Sequence, residues 1–232
     1  MATMAGSQER IEVYFEFGQK RTFAGAVDWP GWCRSGRDEA SALQALLDYG
    51  PRYGRVLRSA RLGFRVPANP SEFLVVERLR GDATTDFGAP GVAPSSDSRG
   101  VKDEELRTFS AVLNGCWRAF DAAAEMASGR RLRVGPRGGG RSLGAIVEHV
   151  VEAEGAYLAS IGWKLESPGK IQIAEKVGRT RQEVLKGLEA AARGELPAIG
   201  PRGGKRWTPR YFVRRLTWHV LDHAWEIEDR SV

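Results

Sequence analysis

Cysteine is nearly absent from this chain. The two in 232 residues, Cys33 and Cys116, lie far apart and in no CxxC spacing. That excludes a disulfide framework and a cysteine-rich zinc site, and a reducing cytoplasm is the expected location. Long apolar runs are missing as well. None approaches the roughly 18 residues of a membrane-crossing helix, so no membrane contact is expected. Met1 to Gln8 is short and polar, without the apolar core of a signal peptide. A strong charge of one sign is also lacking. Lys and Arg number 35 against 29 Asp and Glu, a balance of +6. So mild and scattered an excess serves solubility, and nucleic acid is not an expected partner. Hydrophobic residues at 42% and charged residues at 28% exclude disorder as the main state. Histidine occurs only three times, at His149, His219 and His223.

Residues 1–81 read as an α+β domain. Ile11, Val13, Phe15 and Phe17 alternate with Glu12, Tyr14 and Glu16, the period of a half-buried strand. Gly18 marks a turn, residues 21–27 return as a second strand, and a short third covers 32–35 after Trp29-Pro30-Gly31-Trp32. Asp38 suits a helix N-cap, with Leu43, Leu46 and Leu47 on one face. Gly50-Pro51 is expected to end that helix, with a second helical piece over 52–61. A last strand is expected over 73–79, giving a small antiparallel sheet with a helix. Residues 82–100, rich in Gly, Pro, Ser, Thr and Asp, read as a linker.

From residue 101 the spacing becomes helical, and residues 101–232 read as an all-α four-helix bundle. A helix over 103–127 faces Leu106, Phe109, Leu113, Trp117 and Phe120 inward. The next runs over 142–161, with Ile146, His149, Val150, Ala153 and Tyr157 on one stripe. A third starts at Thr180, because Thr180-x-x-Glu183 has the form of a capping box. The fourth has Thr208 as N-cap and Pro209 at its first position, and carries Phe212, Leu216, His219, His223 and Ile227 on one face. Helix lengths favour an antiparallel pairing of the second and fourth helices.

His219 and His223 are four residues apart, which puts both imidazoles on one helical face where they can share an ion. His149 falls on the inward stripe of another helix. Three imidazoles on a divalent metal leave positions open for water or substrate. Asp222 and Glu226 are near enough to orient a ring N–H or to act as a base, and Glu152 is placed similarly beside His149. The same spacing also suits histidines that simply belong to the core. No HExxH occurs, so a zincin protease is excluded.

His149 in the second helix and His219-x-x-x-His223 in the last, followed by Ala224-Trp225-Glu226, resemble the DinB superfamily of four-helix metalloproteins. The resemblance covers residues 101–232 and implies a three-histidine metal site. Relatives include thiol transferases that use low-molecular-weight thiols and a mycothiol-dependent isomerase. It implies a metal-dependent thiol transferase or hydrolase acting on a small molecule, with His149, His219 and His223 as ligands and Asp222 or Glu226 in a catalytic role. Zinc is the first expectation, with nickel, iron or manganese also suiting such a site. A homodimer is allowed. The N-terminal half, from Phe23 to Cys33 and then Gly36-Arg37-Asp38-Glu39-Ala40, resembles the HicB-like domain. A helical bundle stands where that family carries a DNA-binding C-terminus, so an antitoxin role does not follow. The alternative function is a non-enzymatic sensing module that binds metal or a small ligand and meets a partner through its N-terminal half.

Other signals are set aside. GPRGGGRS over 135–142 lacks the buried strand and the lysine of a P-loop, and Ser142 in Gly140-x-Ser142-x-Gly144 reads as an N-cap rather than a nucleophile. GPRGG recurs at 200–204, and loop chemistry accounts for both copies. Arg52, Arg55, Arg58 and Arg61 form a basic stripe that reads as a solvated face, with an acidic partner or RNA as the second reading. Trp218 and Trp225 are expected off the histidine face.

Overall fold

The computed structural model describes residues 10–134, 140–166 and 171–231. The chain forms two units, Met1–Arg55 with Gly63–Ser96, and Val56–Leu62 with Asp97–Val232. No helix among the described residues is long and apolar enough to cross a membrane.

The first unit is built on β1 (Ile11–Phe17), β2 (Thr22–Ala26), β3 (Cys33–Gly36) and β4 (Phe73–Arg80), in the order β3-β2-β1-β4. The sheet is mixed, not antiparallel as expected, because β4 lies parallel to β1. Two reversals leave β3 running in the direction of β1. The long crossover through α1 (Glu39–Leu57) then lets β4 enter the same way.

The alternation in β1 suggested one wet face, yet Val13, Tyr14, Phe15 and Glu16 are all buried. Gly25 lies opposite Tyr14, and a Cβ there would sit 2.6 Å from the Tyr14 ring, so glycine makes room for it. The Glu16 carboxylate accepts from the Thr85 hydroxyl and from the backbone N–H of Gly91 (2.8 Å) and Val92 (3.1 Å). Residues expected as linker therefore seal this strand. Within them α2 (Ala83–Phe87) is closed by an Asp82–Thr85 capping box, and a single 3-10 turn covers Ser95–Ser98.

Gly50-Pro51 does not end α1. Proline removes one donor, but Tyr53 beyond it is fully buried, stacks on Trp32 with centroids 5.7 Å apart, and donates to the Pro30 carbonyl at 2.9 Å. Trp32 Nε1 donates to the Leu46 carbonyl at 2.9 Å. Tertiary packing carries the helix through the break that local propensity predicts.

The second unit contains α3 (Asp103–Ala127), α4 (Leu143–Ile161), α5 (Ile173–Ala192) and α6 (Pro209–Arg230). Ser142 caps α4 by accepting from the Ala145 N–H, and Thr208 caps α6 by accepting from Tyr211 N–H. α5 begins at Ile173, two turns before the expected Thr180. Thr180 is buried inside the helix, and Glu183 accepts from Trp163 Nε1 at 2.9 Å instead of closing a capping box. The glycine run 135–139 lies outside the described residues. Its counterpart at 200–204 is a tight turn, with Gly200 N–H donating to Gly204 O at 2.8 Å.

α4 and α6 run antiparallel, as helix lengths favoured. The Arg141 carbonyl meets Arg230, His149 meets His219 and His223, and the Ser160 carbonyl meets the Trp207 N–H. α6 is buried almost all round. Apolar helices do this freely, but α6 carries Arg214, Arg215, Thr217, His219 and His223 inside. Each such group needs a partner to offset the water it loses. A partner of Arg214 is Asp97, which receives its guanidinium bidentately at 2.7 and 2.8 Å, both side chains being buried.

Candidate metal centre

His219 and His223 lie on one face of α6, with ring centroids 4.6 Å apart. The α4 ring of His149 stands edge-on to each, at 5.0 Å. One nitrogen from each of the three rings lies within 4.8 Å of the others. His149 Nε2 and His219 Nε2 are 3.2 Å apart. Two imidazole nitrogens on a tetrahedral zinc, each about 2.0–2.1 Å from the ion, lie about 3.3 Å apart, so this spacing fits a shared cation. Among the described residues no fourth His, Cys, Asp or Glu joins the group.

The surroundings favour neutral rings at His219 and His149. Burial first, then His223, His149 and the Arg215 and Arg141 guanidinium groups, push the His219 imidazole far below its ordinary pKa. His149 is lowered mainly by burial and then by Arg141 and His223, against the pull of Glu152 and Glu226. A ring that stays neutral keeps its lone pair for a metal.

Of the two expected carboxylates, Glu226 is fixed in place. One oxygen lies 2.7 Å from His223 Nδ1, and the other receives the Arg230 guanidinium. The hydrogen bond to His223 and the contact with Arg230 outweigh burial and hold Glu226 below the usual carboxylate range. With Nδ1 committed to Glu226, His223 presents Nε2 to the cluster. Asp222 is half-buried on α6 between the two histidines in sequence, and Glu152 is exposed on α4.

A second buried group adjoins the histidines. Arg215 lies one turn before His219, buried between the rings of Tyr157 at 5.6 Å and Trp218 at 5.1 Å. Tyr157 in turn meets His219 edge-on at 5.7 Å and packs on Trp207 at 5.3 Å. Burial pushes the Tyr157 hydroxyl above its ordinary pKa, with Arg215 opposing. Trp218, expected off the histidine face, thus flanks the site from its edge.

The comparisons with known proteins bear on this half of the chain. A sequence model of the DinB superfamily matches residues 113–227. The helical part of the chain belongs to the DinB superfamily. The matched DinB region contains His149, His219, His223 and Glu226, and also Tyr157 and Arg215. No curated protein and no solved structure matches the chain. The resemblance of the N-terminal half to the HicB-like domain gains no support from these comparisons, and the DinB match leaves residues 1–112 outside it.

Arg215 was not among the residues singled out from sequence, although the signal was there. Residues 215, 219 and 223 repeat at four-residue spacing and so share a face. Glu154 was missed too. It occupies the α4 stripe with Val150 and Leu158, fully inside, and accepts from Trp117 Nε1 at 2.6 Å. Burial raises its pKa to about 7.

Proposed function

We propose that His149, His219 and His223 bind one divalent cation, zinc in the first place, and that the protein is a metal-dependent enzyme acting on a small molecule, a thiol transferase or a hydrolase. The observation that carries this reading is the convergence of three imidazole nitrogens from two helices within 4.8 Å, with no fourth ligand among the described residues. A closed structural site has four protein ligands, whereas a three-ligand site leaves room for a reactant. For the same reason the enzyme reading is preferred to a metal- or ligand-sensing module.

A bound ion would supply positive charge that lowers the pKa of a thiol or water and makes a nucleophile near neutral pH. The chain itself does the rest. His149 joins α4 to the α6 pair. Glu226 acts as a positioning residue, because both its oxygens are engaged and its task is to hold the His223 ring in one tautomer. Asp222 is the carboxylate assigned to proton exchange. Arg215 and Arg141 add positive charge near the histidines, which suits an anionic reactant.

Elemental analysis of protein purified without an affinity tag, followed by zinc titration of the metal-stripped chain, tests the proposal. One ion per chain is expected. No uptake of zinc, nickel, iron or manganese would mean that the three histidines are core residues.

A further inference from the structure

Arg215 is more than nine-tenths buried and no carboxylate pairs with it among the described residues. Its Nη2 has one partner, the Tyr157 hydroxyl at 3.5 Å, and its buried Nη1 has no protein partner among the described residues. The adjacent Arg214 shows how α6 otherwise deals with a buried guanidinium, through the bidentate carboxylate of Asp97. A buried guanidinium without a carboxylate is costly, and two aromatic neighbours and one long hydrogen bond offset only part of that cost. A ligand that brings its own negative charge offsets the rest.

We infer that Arg215 and Tyr157 receive a carboxylate of the small molecule that occupies the histidine site. The buried Nη1 of Arg215 and the proton of the half-buried Tyr157 hydroxyl, whose oxygen accepts from Arg215 Nη2, match the two oxygens of one carboxylate. The rings of Tyr157 and Trp218 flank the guanidinium and hold it in place for such a partner. A phosphate would bring more oxygens than these two donors satisfy. Because Tyr157 also stands against His219, a carboxylate held there places the rest of the ligand at the three rings. The inference rests on the reading of the histidines as the reactive site, and it specifies the substrate class as an organic acid.

The test uses 3-mercaptopropionate and its neutral amide, titrated by calorimetry into metal-free and zinc-loaded protein. The acid should bind the parent more tightly than the amide by about tenfold, the difference between a charge-assisted and a neutral hydrogen bond. Arg215→Met should abolish that preference while the chain still takes up one zinc ion, and Arg215→Lys should restore part of it. Tyr157→Phe, which removes one oxygen and leaves the packing, should reduce the preference several-fold. Equal binding of acid and amide to the parent would overturn the inference, as would an acid preference that survives in Arg215→Met. Inorganic phosphate displacing the acid in an Arg215-dependent way would overturn the assignment of a carboxylate. Failure of the parent to take up zinc, with the acid preference intact in metal-free protein, would sink the metal reading alone.

Discussion

At the scale of single residues, the histidines were legible in the sequence because their chemistry is rare and their spacing is geometric. Removing one should therefore have a definite effect. His223→Ala should abolish or sharply weaken zinc binding, since it destroys the one-turn chelate with His219, and His149→Ala should do likewise by removing the ligand from α4. Glu226→Gln should weaken zinc binding by about 10- to 100-fold, because it loosens the ring of His223 without removing a ligand. Calorimetric zinc titrations separate these outcomes, and unchanged affinity in His223→Ala would end the metal reading. Arg215 and Glu154 share one difficulty: charged side chains on a helix read as solvated, and although spacing puts Arg215 on the histidine face, only tertiary packing shows that the two are inside. Glu154 gives this a measurable consequence. Its folded pKa of about 7 lies above its ordinary value of 4.5, so its contribution to stability is complete at low pH and is lost as pH rises through about 7. The loss is on the order of 3 kcal/mol at most. Glu154→Gln, which keeps an acceptor for Trp117 and cannot ionise, should melt above the parent at pH 8 and by much less at pH 5. A constant difference across that range would show that Glu154 does not titrate there.

At the scale of elements, boundaries set by local chemistry were readable and those set by distant contacts were not. Ser142 and Thr208 cap α4 and α6 where their hydroxyls stand in the sequence. Pro51, by contrast, sits inside α1 because Tyr53 and Trp32 stack beyond it, and Thr180 lies within α5 because it is buried there. Residues 82–100 have linker composition, yet Glu16 binds their backbone and Asp97 binds Arg214. Composition records that a stretch lacks apolar residues, not whether a buried charge elsewhere requires it. Asp97→Ala should therefore be far more damaging than an exposed loop substitution. It leaves the Arg214 guanidinium buried without its counter-ion, at a cost of about 3–5 kcal/mol. Denaturant titration of Asp97→Ala checks the magnitude. A loss below about 1 kcal/mol would place this pair among the weak surface ion pairs.

At the scale of the whole molecule, the change from strand period to helix period near residue 100 is the sequence signal for two parts. What it could not announce is that the end of α1 belongs with the second. Val56–Leu62 clusters with the helical unit: Gly115 of α3 leaves room for the Val56 carbonyl, 3.0 Å from where a Cβ would sit. Arg118 donates to Ser59 Oγ at 2.7 Å. Leu57 is buried. A fragment of residues 97–232 contains every residue of the candidate metal centre and all of α3 to α6, but not this turn. It should fold, because α6 buries its own core against α3, α4 and α5. It should also be weaker than the helical unit of the full chain by about the 1.5–3 kcal/mol of one buried leucine, a fall in melting temperature of roughly 10 °C. Zinc uptake should be unchanged, since His149, His219, His223 and Glu226 are all retained. Melts followed by circular dichroism with and without zinc measure both. A fragment that lacks a cooperative melt even with zinc would mean that Val56–Leu62 completes the helical core rather than covering its edge.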